Sequence, residues 1–199
     1  MKKSILIRTV TECAKQYRDE LLDKSLYLIC SDKRQELSTI ELHFYKRNFL
    51  HLTGVETTLT ADRFFDACVK GRLKELDINE RKDGTTTQKL KILPSLMTKN
   101  MSANMIGDSL KEGIGLITDK VVGNIKGCMG FVIDDLTGKY VPNTVINDDI
   151  RKRVTNPRRI LLIYRKQEKE DNYEEMVYVA KGIKLNKVLS KLNAENNNR

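Results

Sequence analysis

This chain of 199 residues has no tryptophan, three prolines and only two histidines. Aromatic residues make up 6% of it, so the core is expected to rest mainly on Leu, Ile, Val and Met. No apolar run approaches the roughly 20 residues of a membrane-spanning helix. The start, Met1-Lys2-Lys3-Ser4, has the charge of a signal peptide, but its apolar run Ile5-Leu6-Ile7 stops at Arg8 and is too short for an h-region. No C-x-x-C pair links the four cysteines, Cys13, Cys30, Cys68 and Cys128. They read as buried free thiols of a cytoplasmic protein, and no usual zinc-ligand spacing joins them to a histidine. Gly123-Asn124-Ile125-Lys126-Gly127 lacks the Gly-Lys-Ser/Thr ending of a phosphate-binding loop, and there is no G-x-S-x-G elbow.

The chain is rich in positive charge. A net charge of +9 and a pI near 9.3 favour an acidic partner, nucleic acid first among them. The charge is spread along the chain, so composition alone marks no patch. The length fits one domain, taken as residues 1–192, followed by a polar, disordered tail at 193–199. Helical periodicity in Val10, Cys13, Ala14, Tyr17 and Leu21 predicts a helix over about residues 5–22. Strands are expected at Ser25–Ser31 and over 38–45, where Ile40, Leu42 and Phe44 share one face and Glu41, His43 and Tyr45 the other. Lys46-Arg47-Asn48 reads as a turn and Phe49–Thr53 as a short return strand with His51 and Thr53 on one face. Thr60 caps a helix that stops at Gly71 and buries Phe64, Phe65 and Cys68. Residues 77–87 read as loop, and Leu90, Leu93, Met97 and Met101 as helical, with Pro94 as an interruption or a start. Six glycines between Gly107 and Gly130 point to turns and short strands, and further strands are expected at Cys128–Ile133, Ile160–Arg165 and Met176–Ala180. Helices precede strands without regular alternation, which favours α+β over doubly wound α/β.

Histidine titrates closest to neutral pH, so proton transfer is sought first at His43 and His51. His51 lies in Asn48-Phe49-Leu50-His51-Leu52-Thr53-Gly54. After it come Met105-Ile106-Gly107-Asp108, Thr118-Asp119-Lys120-Val121-Val122-Gly123, Tyr140-Val141-Pro142-Asn143-Thr144, Asp148-Asp149-Ile150-Arg151 and Arg158-Arg159-Ile160-Leu161. In this order the motifs resemble the phage-associated nuclease domains of the barnase–EndoU–colicin–RelE-like group. The branch is the one with a Phe-x-His-Leu-Thr-Gly element, and the resemblance spans about residues 5–185. It implies an α+β domain with helices packed on a twisted, mainly antiparallel sheet. It also implies an RNA endonuclease needing no metal or other cofactor, in which the 2′-hydroxyl attacks the adjacent phosphate, with a role as toxin or conflict effector of a phage or mobile element.

The expected site follows from that resemblance. His51 performs acid–base work, Thr53 and Thr144 position phosphate, and Arg151 stabilises its charge. Tyr45, Asn143, Arg158 and Arg159 contact RNA. For each there is a plainer explanation: a histidine bound to a backbone carbonyl, turn or capping Asn and Thr, solvated arginines. His43 stands outside the motif and ranks below His51, although a hairpin would make the two cross-strand neighbours. Arg165 and Lys166 are weaker candidates. Asp134-Asp135 and Asp148-Asp149 would suit a two-metal site only if neighbouring strand residues shared a face, which they do not. The rival reading is a catalytically inactive module that binds RNA or an acidic, antitoxin-like protein; a third is a structural protein whose charge aids solubility. Oligomeric state is open.

Overall fold

The computed structural model describes residues 1–110 and 118–197. Gly113 and Gly115 of the glycine-rich stretch, and the last two residues of the expected tail, lie outside them. Helix α1 (Lys3–Glu20) turns through Leu21–Asp23 into β1 (Lys24–Ser31), which returns as β2 (Leu37–His43). Next come α2 (Phe49–Thr53), β3 (Val55–Thr57), α3 (Ala61–Val69), β4 (Ile78–Glu80) and α4 (Thr85–Leu96). The second half is mostly strand: β5 (Met105–Ser109), β6 (Lys120–Gly123), β7 (Cys128–Ile133), β8 (Tyr140–Ile146), β9 (Val154–Gln167) and β10 (Glu175–Val179), closed by α5 (Leu185–Asn197).

The sheet is not a layer lying open beneath the helices, as the sequence led us to expect. Its strands run β1-β2-β8-β7-β6-β5-β9, and β9 then pairs with β1, closing a seven-stranded barrel. The barrel is mixed because β2 meets β8 in parallel, Leu42 opposite Tyr140. Closure depends on β9. At 14 residues it bonds β1 along one edge, while its other edge carries β5 near its start and β10 near its end. No strand periodicity predicts this, because it depends on which distant edges meet. Closure gives both edges of β1 and β9 hydrogen-bond partners and removes the open edge of a free sheet.

One face of the barrel strands, including Leu28, Leu42, Val122, Phe131 and Ile163, merges with Leu6, Val10 and Tyr17 of α1 into a single core. That core is more aromatic than composition suggests. All five phenylalanines are buried, and Tyr17, Phe44, Phe49 and Phe65 meet at ring separations of 5.3–6.3 Å. Tyr17 and most of the phenylalanines are concentrated where the helices meet the barrel, where large rings fill the most space. On the outer face, α5 lays Val188, Leu189 and Leu192 over Ile29 and Leu162.

The largest local departure from expectation is Phe49–Thr53, which is a turn of α-helix and not a strand. A short apolar run has no decisive period, and Gly54 resolves it. Its φ of +67° is the left-handed conformation that ends a helix. The helix buries Phe49 and Leu52, three residues apart, and leaves His51 exposed. His43 and His51 are therefore not cross-strand neighbours. Residues 77–87, expected as loop, contain β4 and the start of α4.

A candidate acid–base site on the outer barrel face

Strand β2 ends with Glu41, His43 and, just beyond it, Tyr45 on the side away from the core. Antiparallel pairing sets Ser25 of β1 opposite His43 and Tyr27 opposite Glu41. Pairing of β1 with β9 carries the end of β9 to the same place, since Ser25 also faces Lys166. Glu168, immediately after β9, donates its backbone N–H to the Asp23 carbonyl at 2.8 Å, and its carboxylate lies over Ser25 and His43.

Four side chains meet on that carboxylate. His43 Nδ1 lies 2.8 Å from Glu168 Oε2, and the Ser25 hydroxyl donates to the same oxygen at 2.6 Å. Lys139 Nζ donates to Oε1 at 2.5 Å and the Tyr45 hydroxyl at 3.3 Å. Burial pushes the Glu168 carboxyl up, but Lys139, Ser25 and His43 outweigh it and hold the pKa at about 2. Glu168 is thus a fixed anion and a poor proton acceptor at neutral pH. It fixes the orientation of the imidazole through Nδ1 and leaves Nε2 on the side of Glu41. Nε2 sits 3.6 Å from Glu41 Oε1, and Glu41 in turn accepts a hydrogen bond from the Tyr173 hydroxyl. Burial and then Glu41 push the Tyr173 phenol up, while burial and then Glu168 do the same for Tyr45, so both remain protonated donors. The Arg47 guanidinium lies 4.8 Å from the Tyr45 ring centre and pairs with Asp134 at 2.9 Å, and Lys166 Nζ lies 4.7 Å from that of Tyr173. His43 is only 3% exposed, while Glu41 and Lys139 reach solvent at the rim.

The residues expected to form the site are dispersed. His51 is exposed on α2; its carbonyl accepts from Lys89 Nζ at 2.7 Å. Its pKa is lowered by burial, then by Lys89 and Arg81. Lys89 is itself held at about 8 by burial and Arg81. Thr53 is fully buried, and its hydroxyl donates to the Leu50 carbonyl at 2.8 Å and accepts from Val55 N–H at 3.3 Å. Asn143 and Thr144 lie within β8, not in a turn or cap, and Thr144 is buried opposite Gly130 of β7. Arg151 stands in the turn before β9 and pairs with Asp149, which also caps that turn. At about 3.3 Å per residue, β9 separates Arg151 from Glu168 by roughly 40 Å of strand. Arg158 and Arg159, adjacent on β9, alternate: Arg158 lines a cavity of about 320 Å³ at the barrel mouth. Arg159 lines a groove beside α5 with Lys184, Lys187 and Lys191. Of the proposed RNA contacts only Tyr45 joins His43. The aspartate pairs are engaged in ion pairs, Asp134 with Arg47 and Asp148 with Arg153.

Sequence reasoning passed over Glu168, Lys139 and Ser25. The signal for half of the site was present in β2, whose alternation put Glu41, His43 and Tyr45 on one face. Glu168 carried none, because its meeting with His43 spans 125 residues of chain and depends on barrel closure. Among the described residues no helix is long and apolar enough to cross a membrane. No curated protein and no solved structure matches the chain. Residues 9–182, most of the chain, match the model of one family, and the chain belongs to that family of nucleases, the phage-Barnase-EndoU-ColicinE5/D-RelE like nuclease4 family.

Proposed function

We propose that this chain is an endoribonuclease whose acid–base residue is His43, oriented by Glu168. The observation that carries the reading is the Glu168 carboxylate, gathering His43, Ser25, Lys139 and Tyr45 at one point of a nuclease-family fold. Such chemistry requires a base for the 2′-hydroxyl, a donor for the leaving oxygen and a cation for the phosphorane. In the proposed reaction His43 Nε2 takes the 2′-hydroxyl proton as that oxygen attacks phosphorus. The imidazolium formed is stabilised by Glu168. Lys139 faces the developing negative charge, and the Tyr45 hydroxyl is the donor for the departing 5′-oxygen. The bond from phosphorus to that oxygen breaks, leaving a 2′,3′-cyclic phosphate and a 5′-hydroxyl. None of these steps calls on a metal ion. His51, on the exposed face of α2 beside Lys89 and Arg81, is the competing proton-transfer residue, as the family motif suggests.

The test is incubation of the purified protein with RNA in EDTA, with end-group analysis of the products. Cyclic phosphate ends lost in His43→Gln and kept in His51→Gln support the reading. RNA left intact under all conditions removes it, and equal cutting of DNA removes the 2′-hydroxyl step.

A second reading is a module that binds RNA, or an acidic inhibitor protein, without cutting. The closure of the site favours it: His43 is almost wholly buried and Glu41, held by Tyr173, covers Nε2. Salt-sensitive RNA binding with no product at any pH would establish it.

A further inference from the structure

The barrel has two unlike ends. At one, its interior continues into the aromatic core under α1 and α2. At the other, where β1 ends at Ser31 and β2 begins at Leu37, the interior is a cavity of about 320 Å³. Cys30 and Ile106 are among its apolar lining; Ser38, Thr39, Asp108, Lys120, Asn156 and Arg158 supply polar groups.

Three arginines of the chain are half-buried among the described residues: Arg47, Arg158 and Arg165. Arg47 pairs with Asp134 at 2.9 Å, and Arg165 pairs with Glu175 at 2.7 Å and Glu20 at 3.2 Å. Arg158 differs from both. Its guanidinium makes no hydrogen bond and no ion pair among the described residues. The one carboxylate of the cavity, Asp108, is taken: it pairs with Lys120 and accepts from Asn156 Nδ2 at 3.0 Å. Lys120 and Arg158 both act on this one carboxylate, Arg158 through its charge alone, so the cavity keeps an excess of positive charge. A partly desolvated guanidinium without a hydrogen-bond acceptor is unfavourable unless something supplies the missing acceptors. Its planar fork of donors fits a tetrahedral oxyanion in bidentate fashion. Ser38, on the same face of β2 as Ile40 and Leu42, adds a hydroxyl donor to the lining.

We infer that the open mouth of the barrel is a phosphate-binding pocket, distinct from the His43–Glu168 site, in which Arg158 is the anchor and Ser38 adds an oxygen contact. The ligand is a phosphate group, either free inorganic phosphate or the 5′-phosphate of a nucleotide. This pocket does not depend on the proposed cleavage chemistry, because it opens to the barrel interior while Glu168 lies on the outer face.

The test is thermal unfolding of the full chain titrated with inorganic phosphate, uridine 5′-monophosphate and uridine, ionic strength being held constant with sodium chloride. At a hundredfold excess over Kd, either phosphate probe should raise the Tm by about 6 °C, from ligand linkage and the size of the chain. Uridine should leave it unchanged. The stronger of the two phosphate probes names the source. R158Q should unfold no lower than the wild type without ligand and lose the shift, R158K should retain a weaker one, and His43→Gln should retain it in full. No shift with either phosphate probe in the wild-type chain, an equal shift in R158Q, or an equal shift with uridine overturns the assignment.

Discussion

His43 and His51 are eight residues apart in the chain and occupy opposite surroundings. His43 ends a strand of the barrel, buried, with Glu168 on one ring nitrogen and Glu41 near the other. His51 projects from a short helix into a surface of cations, Lys89 and Arg81, with no carboxylate partner among the described residues. His43 has a carboxylate near each ring nitrogen, whereas the pKa of His51 is lowered by burial and by its neighbouring cations. The motif drew attention to the second, while the geometry that positions an imidazole belongs to the first. The Phe49–Gly54 element has an evident structural task of its own. It anchors Phe49 and Leu52 in the core and turns the chain at Gly54, whose carbonyl accepts from Thr86 at 2.5 Å.

The largest effect should come from exchanging the two histidines' roles in an RNA cleavage assay. His43→Gln should lower the rate by roughly 10²- to 10⁴-fold, the usual contribution of a general acid–base group, and His51→Gln should stay within about twofold. The opposite ranking would return the chemistry to α2. Circular dichroism of both variants separates catalysis from folding.

Glu168→Gln comes next, read by denaturant unfolding against pH. Glu168 has a folded pKa of about 2 against an ordinary value of 4.5. Its folded value is depressed, so its stabilisation is present above pH 4.5 and fades as pH falls toward 2. Its half-open rim position discounts the full linkage value to about 1–3 kcal/mol. The variant should lose that much at pH 7 and show a flatter acid limb. An unchanged limb would mean that the carboxylate is not held by His43, Ser25 and Lys139 in solution.

Gly54→Ala tests the other region. The φ of +67° disfavours any side chain, and a Cβ there would lie 2.8 Å from Lys89 Cδ, a flexible neighbour. About 1 kcal/mol of stability, or 2–4 °C in Tm, should be lost, with the cleavage rate scarcely altered. A collapse of cleavage at unchanged fold would mean that α2 belongs to the site. The smallest effect is on Lys89. With its pKa near 8 it should react with amine-directed reagents at pH 8 ahead of the other lysines. Arg81→Gln should raise that pKa and slow the reaction; equal labelling of all lysines would remove the cationic surroundings assigned to His51.

Several elements were legible because their signals are local. The periodicity of Val10, Cys13, Tyr17 and Leu21 marked α1, Thr60 and Gly71 bracketed α3, and alternation marked β2 and its polar face. Phe49–Thr53 was misread because five apolar-rich residues fit either period and only the left-handed Gly54 decides between them. The dispersed motif residues show a related weakness. Thr53 and Thr144 carry the polar side chains that phosphate binding calls for, yet both are buried. Polarity can be read from a letter of sequence, but exposure cannot.

The sequence by itself determined the family, the basic charge, most helices and strands, and the face on which His43, Glu41 and Tyr45 lie. Only the tertiary structure decided that β9 closes the barrel against β1, and with it three things. Glu168 is brought to His43, Arg158 is turned into an open mouth, and Arg159 beside it is turned out to the groove under α5. The reason is that local steric preference and hydrophobic period act over a few residues, whereas strand pairing between positions more than a hundred residues apart is settled by which edges can satisfy each other's hydrogen bonds around a shared core.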